Sequence, residues 1–419
     1  MLNSNGVREL AYVVKVDNIE PIIGSDNCEC AVVGGWHIMV HKNEFKVGDP
    51  AIYFEIDSKL PSDNPAFSFM GKKHYAVKTQ KYTFGGKGNF ISQGLLMSAA
   101  NFGWTIGLPK NSNITLSYEN DIIVDSDGKI HKVDDESRFL TEQLGVTYAE
   151  PGDNKRKAAS ADKYKRMAQR HGKLFSHQPY RWLMKRDWGK KLLFVFYGKK
   201  KDKKNAWPSY VKKTDEERIE NMPYILNDKS EWIATEKIDG TSTTFTMKRG
   251  HGFKKNEFLV CSRNVVFDKP DKKCFYETNV YTEMADKYNI ESILEFLLMA
   301  YPEAEWVTIQ GETYGAGVQN RNYSLGGHDF AAFNLIMSHT GRWNSKEMAD
   351  KLVRLGVPCV PILDEHYVLP DTIEELREYV DSEPSRLDGE MKEGIVFRSQ
   401  DGVRSFKCVS PQYLIKYHQ

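Results

Sequence analysis

No two cysteines in this 419-residue chain are spaced as CxxC, and only six occur at all: Cys28, Cys30, Cys261, Cys274, Cys359 and Cys408. That scatter argues against a disulfide scaffold and against a zinc ribbon. Cys28 and Cys30, two apart, share one face of a strand and read as structural. Long apolar runs are also missing. The longest, Leu192 to Tyr197, falls far short of the roughly 20 residues that span a bilayer. The amino-terminal stretch MLNSNGVREL is polar and has no apolar signal core. An excess of one charge is missing too: 58 Lys and Arg face 57 Asp and Glu, a net charge of +1. A uniformly basic polyanion binder is thereby excluded. These absences predict a soluble, cytoplasmic protein of a reducing compartment with no membrane partner.

What is present supports packed domains. Apolar residues are 40% and charged residues 27% of the chain, enough to bury a core. At roughly 150 residues per domain, two or three domains are expected. The balanced charge hides an uneven distribution. Between Lys155 and Lys204, 18 basic residues face three acids (Asp162, Asp187, Asp202), a local net charge of +15. Tyr164, Phe175, Tyr180, Trp182 and Trp188 are interleaved with them. This reads as a track for phosphates with stacking platforms, or as a solvated helical connector; the charge density favours the former.

Along the chain, three regions follow: 1–145, 146–205 and 206–419. In the first, Glu9–Val16, Cys30–Val40, Ala51–Ile56 and Asn89–Met97 are β-rich runs punctuated by Gly24, Gly34, Gly35, Gly48 and Asp49, the pattern of a small barrel or sandwich. Its aromatics Tyr12, Trp36, Tyr53, Phe54, Tyr82 and Phe84 fill a core or stack bases, as in OB folds. A turn is expected at Asp125–Gly128. From 206 onward, strands at Trp232–Ile238, Ser242–Lys248, Glu257–Cys261, Trp306–Gly311, Asp329–Ile336, Gly394–Ser399 and Val403–Val409 mix with helices at Ile290–Ala300, Ser345–Leu355 and Ile373–Val380. Thr214 with Glu217 has the form of a capping box and predicts a short helix over Asp215–Asn221. The fold class is α+β.

Four segments carry reactive side chains at strand ends. Glu236-Lys237-Ile238-Asp239-Gly240 places an amine, an acid on the same face and a glycine turn together. Lysine is a nucleophile only when neutral, and its ordinary pKa near 10.4 requires neighbours that depress it. Gly311-Glu312 ends a buried strand before small residues, Glu393-Gly394 enters another, and Arg404-Ser405-Phe406-Lys407 is cationic. A nucleophilic amine, three acids for a divalent cation and separate cations for phosphate are the inventory that nucleotidyl transfer needs.

The order Lys237-x-Asp239-Gly240, Ser262-Arg263-Asn264, Gly311-Glu312, Phe330 to Leu335, Glu393-Gly394 and Lys407 resembles the successive motifs of the covalent nucleotidyltransferases, which are the ATP-dependent DNA and RNA ligases and the mRNA capping enzymes. Gly311-Glu312-x-x-Gly315-x-Gly317-x-Gln319, followed by Phe330-x-x-Phe333-Asn334-Leu335, is similar to the nick-sealing RNA ligases. The segment from Trp207 to Asn221 resembles an upstream element of one branch of them, which carries an N-terminal OB module. The resemblance covers 207–419 well and 8–100 loosely. It does not extend to the role of the basic segment. Only 12 residues follow Lys407, so the auxiliary β module is expected to precede the catalytic part.

The resemblance implies an OB-like barrel over 1–145 that docks nucleic acid, a basic connector over 146–205, and an adenylyltransferase domain over 206–419 of antiparallel sheets flanked by helices. It implies an ATP-dependent RNA ligase that joins 3′-OH and 5′-phosphate ends at nicks, through a lysyl-AMP and then an adenylylated 5′ end. The alternatives are a DNA ligase, a capping-type guanylyltransferase and, in another class, a non-catalytic nucleic-acid-binding protein. Lys237 is the implied nucleophile. Asp239, Glu312 and Glu393 are the implied holders of Mg²⁺ or Mn²⁺. Phe333 would stack on adenine, Glu236, Arg218 and Arg263 would contact the nucleotide, and Lys407 its α-phosphate. Where the family often shows two lysines two apart, Ser405 occupies the earlier slot, and Arg404 or Lys416 is the candidate for the second charge.

Overall fold

The computed structural model describes residues 1–3, 6–84, 88–102, 105–107, 121–124, 130–133, 138–148, 164, 167–168, 171–197, 207–252, 254–263, 265–267 and 279–418. The turn expected at Asp125–Gly128 and much of the basic segment (149–163 and 198–206 among them) lie outside the described residues.

Besides a third over 105–107, 121–124 and 130–133, the N-terminal β structure contains two three-stranded antiparallel sheets. In one, β5 (Pro50–Phe54) lies between β1 (Ala11–Lys15) and β6 (Leu95–Met97); in the other, β3 (Cys28–Val33) lies between β2 (Asn18–Pro21) and β4 (Trp36–His41). The expected run Cys30–Val40 is thus a hairpin that turns at Gly34-Gly35. Gly35 is required there, because a Cβ would stand 2.7 Å from Glu220 Cα of the C-terminal part. Tyr12, Trp36, Tyr53 and Phe54 are all buried. Their rings fill cores, which rules out base stacking for these four. The core around Tyr12, Trp36 and Tyr53 also takes in Val409 and Leu414 from the far end of the chain. A buried polar knot reinforces that contact. Asn221 accepts from Trp36 Nε1 at 2.7 Å and donates to Glu55 at 2.8 Å, and Tyr12 Oη lies 3.0 Å from Glu55. Satisfied on all sides, such a network fixes one arrangement of the two parts.

Within the basic segment, α1 (Gly172–Phe175), α2 (Gln178–Met184) and α3 (Asp187–Tyr197) share a small core of Met167, Ala168, Phe175, Met184 and Leu193.

The C-terminal part is built on two sheets. The five-stranded one has the order β7 (Glu217–Arg218), β17 (Ser405–Val409), β16 (Gly394–Ser399), β8 (Glu231–Lys237), β15 (Ile362–Val368). The six-stranded one has the order β11 (Val266–Phe267), β10 (Glu257–Cys261), β9 (Thr241–Lys248), β12 (Trp306–Gly315), β13 (His328–Met337), β14 (Gly341–Arg342). Pairing is antiparallel except for β7 with β17. Helices α4 (Val280–Lys287), α5 (Ile290–Ala300) and α6 (Ser345–Arg354) cover the six-stranded sheet through Met284, Leu294, Leu297, Met348 and Leu352. Helix α7 (Ile373–Ser382) covers the five-stranded sheet through Ile373, Leu376 and Val380. The chain passes from one sheet to the other at Ile238–Gly240, so the residues at that crossover face the cleft between them.

One expected helix is absent. Glu217–Arg218 is extended and pairs in parallel with Phe406–Lys407, and only Ile219–Asn221 turns, as a 3₁₀ element. The capping pattern is not used: Thr214 Oγ1 bonds Ser242 Oγ, and Glu217 accepts from Asn221 Nδ2 at 2.8 Å. Glu217 also accepts from the Leu2 N–H, and partners as distant in sequence as Leu2 and Ser242 outcompete the local cap.

Candidate active site

Nine side chains singled out in the sequence, Glu236, Lys237, Asp239, Arg218, Arg263, Glu312, Phe333, Glu393 and Lys407, line a single cavity of about 220 Å³. Strand register explains the convergence. Lys237, last in β8, pairs with Gly394, so Glu393 enters β16 beside it. Glu312 pairs with Ser242 across β9 and β12, just beyond the crossover. Gly240 permits that approach, since a Cβ there would stand 2.4 Å from Thr313 O and 2.9 Å from Glu312 Cγ. A register shift after Gln310 pairs Gly311 with Ala332 and Gln310 with Asn334, leaving Phe333 as the bulged residue. It reaches the cavity beside Val360 and Val396. Lys407 pairs with Arg218 on one side and Val396 on the other.

Two charge clusters result. At the first, Lys237 Nζ lies 2.7 Å from Glu393 Oε2. Asp239 is held from three sides: its N–H donates to Tyr323 Oη at 2.6 Å, and its Oδ2 takes Tyr413 Oη and His418 Nε2, each at 3.0 Å. Burial disfavours the Lys237 ammonium, but Glu393, Glu312 and Asp239 outweigh it and hold its pKa above the ordinary value. Burial, opposed by Lys237 but reinforced by Glu393 and Asp239, pushes the Glu312 carboxyl up to about 8. Neighbours therefore do not depress the amine here. The acids around it hold the proton, and three nearby cations are engaged elsewhere.

They are engaged by Asp215, the centre of the second cluster. Arg8 grips it with Nε at 2.9 Å and Nη2 at 3.1 Å, Lys407 Nζ lies 2.8 Å away, and Arg263 Nη2 completes the set. Burial opposes the Asp215 carboxylate, yet these cations hold its pKa well below the usual range. Burial, reinforced by Arg8, brings the Lys407 amine down to about 8. Arg218 lies beside them, its Nη2 3.5 Å from Asp57. The N-terminal β structure thus closes this end of the cleft with Asp57 and Tyr148.

The family model for RNA ligases matches residues 230–418, and a model for an OB-fold domain matches residues 10–98. Among solved structures, the chain is similar to Naegleria gruberi RNA ligase with pyrophosphate, at a TM-score of 0.67 and 25% identity, over 98% of this chain and 99% of the other. It is similar to a mutant of that ligase with ATP and Mn (TM-score 0.66, 25% identity, 99% of both chains) and to another with AMP and Mn (TM-score 0.66, 25% identity, 98% and 99%). Comparison with curated protein sequences gives no match. Residues 230–418 match the RNA ligase family, and the protein is an ATP-dependent RNA ligase.

Within this ligase, the cleft also holds residues that the sequence did not single out. Asp215 and Glu216 sat in the expected helix; instead Glu216 accepts from Arg398 Nη2 at 3.3 Å and from Ser405 Oγ. Arg398 is buried behind Phe333, its guanidinium 5.8 Å from that ring. His418, the penultimate residue of the sequence, carried no motif signal. The candidates for the second phosphate charge lie elsewhere: Arg404 pairs with Asp228, Lys416 lies 3.6 Å from Glu390, and neither lines the cleft. Glu236, which also lines the cavity, accepts from Ser385 Oγ and from the Arg386 N–H at 2.9 Å.

Proposed function

We propose that this ligase seals 3′-OH and 5′-phosphate ends at nicks in RNA-containing duplexes, with Lys237 as the nucleophile. The observation that carries the reading is the paired arrangement of the cleft: an amine surrounded by carboxylates at one end, and a carboxylate surrounded by cations at the other. The neutral Lys237 amine forms a bond to the α-phosphorus of ATP, the bond to the β-phosphate oxygen breaks, and pyrophosphate leaves. Phe333, with Val360 and Val396, offers the apolar wall against which adenine stacks. Lys407, Arg218 and Arg263 neutralise the charge that builds on the phosphates. A 5′-phosphate oxygen then takes the AMP from Lys237, and the 3′-hydroxyl displaces AMP to close the strand.

Glu312, Glu393 and Asp239 are the residues that would hold a divalent cation. Among the described residues, no three His, Cys, Asp or Glu side chains are grouped closely enough to hold an ion by themselves. The three carboxylates, crowded enough to push Glu312 up to about 8, fit a hydrated Mg²⁺ or Mn²⁺ whose remaining ligands are water and phosphate. Such an ion supplies charge neutralisation at the α-phosphate and lowers the pKa of the neighbouring amine. The 1–145, 146–205 and 206–419 division assigns docking of nucleic acid to the first two parts and adenylyl transfer to the third. Among the described residues no helix is long and apolar enough to cross a membrane, and Cys28, Cys30, Cys261, Cys359 and Cys408 are unbridged, which suits a cytoplasmic setting.

The test is a panel of nicked duplexes in which each strand is varied between ribose and deoxyribose. Sealing that requires ribose on the 3′-OH side supports the reading. Equal sealing of all-DNA nicks would contradict it.

A further inference from the structure

The aromatic rings of the helical unit over 164–197 fall into two sets. Phe175 is buried, and Tyr164, Tyr180 and Tyr197 are partly buried in the same small core. Trp182 and Trp188 stay outside it. They are 51% and 56% exposed, and their rings meet edge to face with centroids 6.0 Å apart. The Arg186 guanidinium lies 3.6 Å from the centre of the Trp182 ring. On α3, Trp188, Leu192 and Val195 recur at helical spacing on one outward face, with Leu192 and Val195 45% and 59% exposed. Gly189 keeps the two helices tight, since a Cβ there would stand 2.3 Å from Leu183 O. The tryptophans therefore sit on a braced hairpin.

Exposed apolar surface of this kind marks a binding face, and its surroundings specify the occupant. Arg181, Lys185, Arg186 and Lys191 are exposed around it. The one acid between Gln178 and Tyr197, Asp187, is paired with Lys190 Nζ at 3.0 Å. Flat rings set among cations suit a polyanion that carries flat apolar faces of its own. We propose that Trp182, Trp188 and Arg186 form a stacking platform for a single-stranded stretch of RNA, separate from the nucleotide cleft. Bases lie on the indoles, Lys185, Arg186 and Lys191 meet phosphates, and the aliphatic stripe packs against ribose. The proposal rests on the RNA ligase reading and adds a substrate-holding surface to it.

The experiment uses the full chain and a fluorescently labelled single-stranded RNA with a 5′-phosphate. The Trp182→Ala, Trp188→Ala double variant should lose affinity by roughly tenfold per ring, while transfer of AMP from ATP to the protein is unchanged. Retained AMP transfer and retained helical circular dichroism report that the variant is folded. Trp182→Tyr, which keeps a flat ring, should recover most of the loss. Equal RNA binding by the double variant and the unaltered chain overturns the platform alone. A change in self-association with RNA affinity unmoved assigns the face to protein contact and also overturns it. Absence of RNA binding by the unaltered chain would overturn the platform and the ligase reading together.

Discussion

The two ends of the cleft have opposite charge designs. Around Lys237, acids crowd one amine; around Asp215, cations crowd one carboxylate. The first cluster carries an excess of acid and the second an excess of base. Asp215 gathers Lys407 and Arg263, the two cations proposed above to meet phosphate. Lys237 sits among the acids proposed above to hold a divalent cation. The clusters also differ in origin. The Lys237 cluster comes from the two C-terminal sheets and from Tyr413 and His418 at the chain's end. The Asp215 cluster borrows Arg8, with Asp57 and Tyr148 beside it, from the N-terminal β structure. The Asp215 cluster therefore depends on contact with the N-terminal β structure, and the Lys237–Glu393 pair does not.

Breaking the acid cluster should have the largest effect on chemistry. Glu393→Gln removes the partner of Lys237 and a proposed holder of the cation, and should lower the rate of lysine adenylylation by roughly 10²–10³-fold. Single-turnover labelling at saturating ATP checks this. Breaking the other cluster should act on stability as well as rate. Asp215→Asn leaves three cations without their counter-charge, a change that costs roughly 3–5 kcal/mol at buried pairs. Denaturant unfolding measures that loss; a cost below about 1 kcal/mol would mean that water already screens the cluster.

Two smaller effects sharpen the comparison. Phe333→Leu removes the ring proposed for adenine and should raise the KM for ATP by up to roughly tenfold, given about 0.5–1.5 kcal/mol for an aromatic contact, with little change at saturation. The smallest is a pH effect. Lys407, brought down to about 8 by burial and Arg8, is charged below that pH and neutral above it. Capture of ATP by the free enzyme, read as kcat/KM for adenylylation, should decline above pH 8. Lys407→Arg should move the decline upward, because a guanidinium keeps its charge. A decline unmoved by that change would assign the titration to another group.

Much of this was legible in the sequence because strand ends carry local signatures. Lys237-x-Asp239-Gly240 and Glu393-Gly394 each put a reactive side chain beside a glycine at a sheet edge, and both glycines are needed where backbones meet: a Cβ on Gly394 would stand 2.3 Å from Cys408 O. The helices at Ile290–Ala300, Ser345–Arg354 and Ile373–Ser382 followed from apolar spacing. Asp215 was not legible, because its partners Arg8, Arg263 and Lys407 are far away in sequence and its own neighbourhood imitates a helix start. Arg218 was singled out from a supposed helix but lies on a strand, whose pairing with Lys407 no local pattern encodes. His418 follows a helix over Pro411–Tyr417 that must fold back on Asp239, a tertiary event. The basic segment was read as one track; its tyrosines and Phe175 proved to be core, and the two tryptophans remained outside.

The central claim is that Lys237 forms a bond to the α-phosphorus of ATP. Incubation of the full chain with Mg²⁺ and ATP labelled at the α-phosphate tests it most directly. The account predicts label on the protein with release of pyrophosphate, and none on the Lys237→Ala variant. Equal labelling of that variant would contradict it.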